Sequence, residues 1–274
     1  MARSQTQRKI LKSLKTKEWL DGVLGEFNRS SYIYSDPLKI VHSYQTKEDQ
    51  ELTALIAALF SFGNVVSILY TVERLLEPLG EHPHQKLLSL KDKDFREIWG
   101  KSYYRFYSST DIIFLFRRLQ KILKDVESFE SAFVQNWNED MIETLFKFRI
   151  LFTKDAPKSG GVRFMFANPK EGCAKRWHMF LRWMVRKDEV DLGLWSRVPK
   201  SHLIQPLDTH LFQIGRALKL TERKTPSLLA ALQMTERFKE WDPEDPIKYD
   251  FALCRLGVLR QKNDRLKVFN PDVS

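Results

Sequence analysis

The periodic stretches of this 274-residue sequence read as helices, so the fold class it predicts is all-α. Three observations carry the prediction. Apolar residues recur at three- and four-residue spacing along residues 175–187 and again after Asp208, the pattern of helices with one buried stripe. The run at 51–62 (ELTALIAALFSF) is apolar almost throughout, as in a helix packed on every side. Between such stretches stand proline- and glycine-marked breaks. Hydrophobic residues at 43% and aromatics at 12% belong to a folded chain rather than a disordered one, and the length allows one large domain or two lobes with a real core.

In chain order, residues 1 to about 30 predict a basic amphipathic helix, with Ile10, Leu11, Leu14 and Trp19 set among lysines. It either packs on the body with its basic face in solvent or serves as a DNA arm. Residues 32–44 read as irregular, interrupted at Asp36-Pro37. The buried central helix at 51–62 breaks at Gly63 and helix resumes to Leu79. His82, Pro83 and His84 mark a loop, and two histidines without further ligand spacing imply no metal. Residues 95–99 lead into the turn Ser102-Tyr103-Tyr104-Arg105 and another helix. A helical pattern then runs through 129–152, with Phe133, Trp137, Ile142, Leu145 and Phe148 inward.

Residues 153–172 are the most loop-like. Lys158, Ser159, Gly160 and Gly161 either meet a phosphate through backbone N–H groups or simply connect. Neither a Walker pattern nor a dinucleotide fingerprint occurs. In the helix at 175–187, Trp177, Leu181, Met184 and Val185 form the apolar stripe, and Lys175, Met179, Arg182 and Arg186 line a neighbouring face. Trp195 and Pro199 suggest an ordered excursion before Pro206-Leu207-Asp208, where Asp208 is a good N-cap. A helix at 226–239, a proline-punctuated turn and a final helix complete the chain.

A formal charge of +10, from 45 Lys+Arg against 35 Asp+Glu, favours a polyanionic partner. With Cys173 and Cys254 alone, a four-cysteine iron–sulfur cluster cannot form in one chain, and two isolated cysteines suit a reducing compartment. The start, MARSQTQRKILKSLKTKEWL, lacks the apolar core of a secretion signal, and no apolar run is long enough to span a bilayer. A cytoplasmic protein is expected, nucleoid-associated in a bacterium, with no membrane partner.

Lys175 and Asp208 each stand at a helix start, 33 positions apart. A carboxylate at a helix N-terminus stays ionised, and a fixed amine facing it suits Schiff-base chemistry at a sugar carbon. Such an amine must shed its proton, and burial together with Arg176 and Arg182 would push its pKa down. The alternative is a solvated lysine and an ordinary cap.

The segment LDTHLFQIGRAL, preceded by a lysine-bearing helix, resembles the helix-hairpin-helix (HhH-GPD) DNA glycosylases, the superfamily of endonuclease III and the 8-oxoguanine DNA glycosylases. On that resemblance Asp208 falls on the catalytic aspartate, Lys175 on the Schiff-base lysine, and His210 on a residue that approaches a DNA phosphate. The hairpin itself departs from the family pattern, NPKEGCAK retaining one glycine, Gly172. SFGN places Phe62 at a wedge position and Asn64 in the turn that fills the gap left by a flipped base. Tyr104 and Arg105 match the element that addresses the orphaned cytosine, and Asp250 in DPIKYD an aspartate that reads the damaged base, beside Met179.

The resemblance implies one domain over 1–274 with two helical lobes and DNA bound across the cleft between them. A central lobe would span about 51–152, and the lobe with the Lys/Asp site about 1–50 and 153–274. It further implies an 8-oxoguanine glycosylase with AP-lyase activity acting on duplex DNA; a monomer is expected, with no cofactor, metal or iron–sulfur cluster. A glycosylase for another oxidised base, or a nucleic-acid-binding relative without the chemistry, are the alternatives.

Overall fold

The computed structural model describes residues 5–262, with side chains described over 13–259. Ile10 and Leu11, expected on the apolar side of the first helix, have side chains outside that range. Among the described residues are fourteen α-helices, three short 3-10 helices and no strand; only Tyr104–Tyr107 and Lys187–Leu192 pair as isolated bridges. No helix there is long and apolar enough to cross a membrane.

α1 (Gln5–Phe27) packs along α14 (Asp250–Lys262), burying Leu20, Val23 and Phe27 while Leu14 stays exposed. Of the two readings of the N-terminal segment, this is the one packed on the body. α2 (Leu38–His42) leads to α3 (Lys47–Phe60), whose start is capped by Thr46 accepting from the Asp49 N–H. Every residue of α3 from Glu51 to Phe60 is buried. A helix apolar all round must be wrapped, and α2, α4 (Val65–Leu76), α5 (Pro83–Ser89) and α11 (Lys175–Val185) do the wrapping. Pro83, expected in a loop, instead opens α5, because its fixed φ and missing N–H suit a first helical turn.

α6 (Asp92–Trp99) packs on α7 (Ser109–Asp125), with Trp99 stacked on Phe116 at 3.7 Å between ring centres. The stretch at 129–152 is two helices rather than one, α8 (Phe129–Val134) and α9 (Met141–Thr153). Glu139 sits at φ 66°, and the next residue, Asp140, starts the second helix by accepting from the Glu143 N–H. The left-handed residue closes the 135–139 connection and the side-chain cap nucleates the next helix.

Glu51 is the charged residue of the buried 51–60 run of α3. Its buried carboxylate accepts from the Phe129 and Glu130 N–H groups at the start of α8 and from the Trp195 indole. Burial pushes this carboxyl above the usual range, against those three hydrogen bonds. Glu130 in turn accepts from the Ser196 and Arg197 N–H groups. The excursion around Trp195 is therefore ordered, as its sequence suggests.

Arg182 and Arg186 on α11 anchor a buried ion network. Arg182 pairs with Asp191 and Asp250, and Arg186 with Asp188, Asp191 and Asp245. Gln205, just before the chain enters α12 (Thr209–Ala217), donates to Asp250. α11, the 188–191 turn, the approach to α12 and the start of α14 are thus tied at one point.

His178, in the first turns of α11, is buried with neither ring nitrogen hydrogen-bonded, and burial holds its pKa down at about 4. Its unfolded value is near 6.5, so the unfolded chain binds the extra proton between those pH values. The stability that neutral His178 contributes is complete above about pH 6.5 and is lost as pH falls toward about 4, on the order of 3 kcal/mol. Urea unfolding of the wild type and His178→Phe at pH 7 and pH 4.5 tests this. The wild type is expected to lose more stability than the variant, and parallel losses would acquit the histidine.

Candidate active site

Lys175 is the first residue of α11. The preceding Ala174 lies in the left-handed region at φ 41°, so the chain turns sharply into the helix with no side-chain cap. The Lys175 Nζ lies 3.0 Å from Asp208 Oδ2. Asp208 is the N-cap of α12, and its other oxygen, Oδ1, accepts from the Leu211 N–H at 2.8 Å. The two side chains keep 33% and 22% of their surface exposed, so the pair is fixed yet reachable from solvent.

The electrostatics correct one expectation. Burial does press the Lys175 pKa down, but Asp208 outweighs it and the amine is held above its ordinary value. The two arginines expected to help lower it are spent elsewhere. Arg176 donates to the Leu59 carbonyl, the Tyr107 hydroxyl and the Phe164 carbonyl, while Arg182 is neutralised by Asp191 and Asp250. Burial likewise lifts Asp208, and Lys175 with the Leu211 N–H overrides it, leaving the carboxyl below its ordinary value. The pair is therefore ammonium and carboxylate.

Met179 lies one turn along α11 from Lys175 and is half-buried; Lys175, Arg176 and Met179 are that helix's partly open positions. His210, in the first turn of α12, is half-buried, with its Cβ close to Gly257 of α14. Asp250 is placed differently from a residue facing an open pocket. It is 1% exposed, Oδ2 pairs with Arg182 and Oδ1 accepts from Gln205. One turn further along α14, the half-buried Cys254 lies within electrostatic reach of Asp250, Asp208 and Lys175, and burial raises its thiol pKa well above normal.

The two turns singled out in the sequence pack against each other. Gly63 adopts φ 100°, a backbone conformation that favours glycine, and it lies against the Arg105 side chain. Asn64 is exposed and caps α4 through Oδ1, which accepts from the Val66 N–H at 2.9 Å and leaves the amide N–H₂ outward. The Tyr104 hydroxyl donates to the Phe62 carbonyl, and Arg105, at φ 53°, forms the tip of a tight turn closed by Tyr104 and Tyr107.

Phe62 is not the outermost ring. Phe106 stacks on it at 10° and 5.4 Å, and Phe164 meets it edge-on. Phe106 and Phe164 keep 56% and 40% of their surface exposed, while Tyr104 and Tyr107 lie buried beneath. Arg105 lies over Phe62 and Phe106, and Arg176 over Phe62 and Phe164. Arg176, the residue after Lys175, joins this aromatic and cationic surface to the start of α11. The dense run YYRFY hints at Phe106 in the sequence; nothing local points to Phe164 or Arg176.

The Ser159–Gly161 segment is tied to the body of the protein. Ser159 caps α10 (Gly160–Met165) and donates its hydroxyl to Asp111, and Gly161 packs so closely on Asp111 that any side chain would collide with it. Asp111 also closes the capping box of α7, so it pins α10 and Phe164 beside the 104–107 turn.

Fold and site together define an all-α protein with a solvent-reachable lysine–aspartate pair between two helix starts, flanked by exposed aromatic rings and guanidinium groups. The chain belongs to the DUF2400 family, described as a protein of unknown function, whose pattern matches residues 36–259 and so includes every candidate residue from Phe62 to Asp250. Neither a curated protein nor a solved structure matches it.

Proposed function

We propose that this protein is a bifunctional DNA glycosylase and AP lyase of the HhH-GPD type, with two helical lobes, acting in base excision repair on 8-oxoguanine opposite cytosine. One observation carries the reading: an amine held 3.0 Å from a helix-capping carboxylate, both open to solvent, beside a surface of exposed aromatic rings and guanidinium groups.

The chemistry follows from the pair. A nucleoside entering between Lys175 and Asp208 separates the ammonium from its counter-ion, and the burial of Lys175 then favours loss of its proton. The amine lone pair attacks C1′, the bond from C1′ to the base breaks, and the departing base takes up one proton. Asp208 supports the positive charge that develops on the sugar. Transfer of the second amine proton to O4′ as the C1′–O4′ bond breaks opens the sugar ring and gives the imine, from which loss of a C2′ proton expels the 3′-phosphate and cleaves the strand. Phe62, with Phe106 stacked on it, would plug the gap left by the flipped base, and Asn64, Tyr104, Arg105 and His210 would hold the strands. The net charge of +10 supports a duplex partner.

Asp250 and Met179 remain the proposed readers of the damaged base. For the carboxylate to accept from guanine, Gln205 must give up its place on Oδ1. Asp250→Ala is expected to cut 8-oxoguanine excision at least tenfold more than cleavage of a ready-made abasic site. Equal losses on both substrates would make Asp250 an anchor for Arg182 and nothing more.

Borohydride trapping of the wild-type protein on duplexes carrying 8-oxoguanine, an oxidised pyrimidine, an abasic site or no lesion tests the proposal. A covalent adduct strongest with 8-oxoguanine opposite cytosine is expected. An adduct strongest on another oxidised base would move the substrate. Tight duplex binding with no adduct on any of them would leave a binding protein.

A further inference from the structure

A groove of about 750 Å³ runs from the Tyr104–Arg105 turn along α4 and the C-terminal end of α6. Tyr70 and Tyr103 stand in it with 59% and 80% of their surface exposed, far more than a tyrosine retained for packing. Arg74 and Lys101 lie in the same groove, and Arg105 is at its mouth. Among the described residues none of these three cations forms an ion pair with a carboxylate, although Glu77 and Glu97 line the groove too. Arg74 instead donates to the Tyr70 hydroxyl at 3.1 Å and rests near its ring, which holds the tyrosine upright on α4.

Exposed aromatic rings interleaved with cations that no carboxylate holds in an ion pair are the elements that bind single strands, the rings stacking on bases and the cations following phosphates. The two carboxylates refine the match, because base amino groups are donors that need acceptors. A neutral or apolar ligand would leave the cations unanswered, and a purely anionic one would meet Glu77 and Glu97. A nucleotide carries both a phosphate and an amino-bearing base, and the volume lies within the usual range for a bound small group. We infer that this groove binds an unpaired DNA strand, leading it away from the turn at 104–105. The site is separate from the chemistry at Lys175, and nothing in it depends on a reaction there.

The test is fluorescence anisotropy at one fixed ionic strength, with a short single-stranded oligodeoxyadenylate and a blunt undamaged duplex as probes. Tyr70→Ala and Arg74→Ala should each weaken oligodeoxyadenylate binding about tenfold while leaving duplex binding unchanged. Tyr70→Phe, which keeps the ring, should stay near wild type. Both residues are exposed, so an unchanged melting temperature is expected to certify the fold. Failure of the wild type to bind the single strand, or equal losses on both probes, would overturn the inference. Single-strand binding that survives while no adduct is ever trapped would reject the glycosylase and leave this groove standing.

Discussion

Lys175→Gln is expected to abolish the borohydride-trapped adduct on every DNA, whereas Asp208→Asn should separate the two halves of the reaction. Glutamine can still donate to Asp208 Oδ2, so the site persists without its nucleophile. The asparagine variant keeps an oxygen to cap α12 through the Leu211 N–H but loses the charge opposite the sugar. Base removal should then fall about 100-fold or more, the scale of losing a fixed electrostatic partner of a developing charge. Trapping on a ready-made abasic site should survive, with a displaced pH profile. In the wild type, burial lowers the Lys175 pKa, yet Asp208 outweighs burial and the net shift is upward. Without that carboxylate charge burial acts with less opposition, so the amine deprotonates at lower pH and the rising limb of the trapping rate moves toward acid. Trapping rates followed from about pH 6 to about pH 10 would show it. An adduct that persists in Lys175→Gln points to a different amine. A profile unmoved in Asp208→Asn would mean that the two groups do not govern each other's protonation.

The parts of this site legible in the sequence are those set by neighbours along the chain. Asp208 follows Pro206-Leu207 and precedes an apolar-periodic run, so its capping role, and with it a fixed ionised carboxylate, can be read locally. Lys175 stands at the corresponding place on the preceding long helix. The helices themselves emerge from periodicity, and the burial of 51–60 from an unbroken apolar run. What could not be read depends on partners remote in sequence. Arg176 looks like a neighbour able to lower the lysine's pKa, but one step along a helix swings a side chain away by roughly 100°. It reaches Leu59, 117 positions earlier, instead of the amine. Phe62 reads equally well as wedge or core, and only the arrival of Phe106 and Phe164 from two other segments shows which rings face outward. Asp250 has the local appearance of a helix-start carboxylate, and its closure depends on Arg182, 68 positions away. The break between α8 and α9 escapes apolar periodicity, because apolar residues such as Phe133, Trp137, Ile142 and Leu145 continue across it.

Arg182 sets the largest expected change in stability. Arg182→Met preserves much of the side-chain volume but leaves the Asp250 carboxylate with Gln205 as its remaining hydrogen-bond partner, and leaves Asp191 dependent on Arg186. All three side chains in the Arg182 pairs are at most 4% exposed, so water cannot replace the lost guanidinium. Removing one partner of a buried ion pair costs about 3–5 kcal/mol, chiefly through the charge left behind. Thermal unfolding should shift downward by about 10 °C. The same argument predicts a recovery: Arg182→Met combined with Asp250→Leu removes the orphaned charge and should regain a substantial part of the loss, since an apolar replacement of both partners is often tolerated. A double variant no more stable than the single one would show that the arginine acts through packing. The change should also register at the candidate site, because the network joins α11, which carries Lys175, to the segment that delivers Asp208. A displacement near 1 Å in a catalytic pair can cost up to about 100-fold in rate. Trapping by Arg182→Met should therefore slow even well below its melting temperature, and recover in the double variant only to the extent that α11 and α12 return to register.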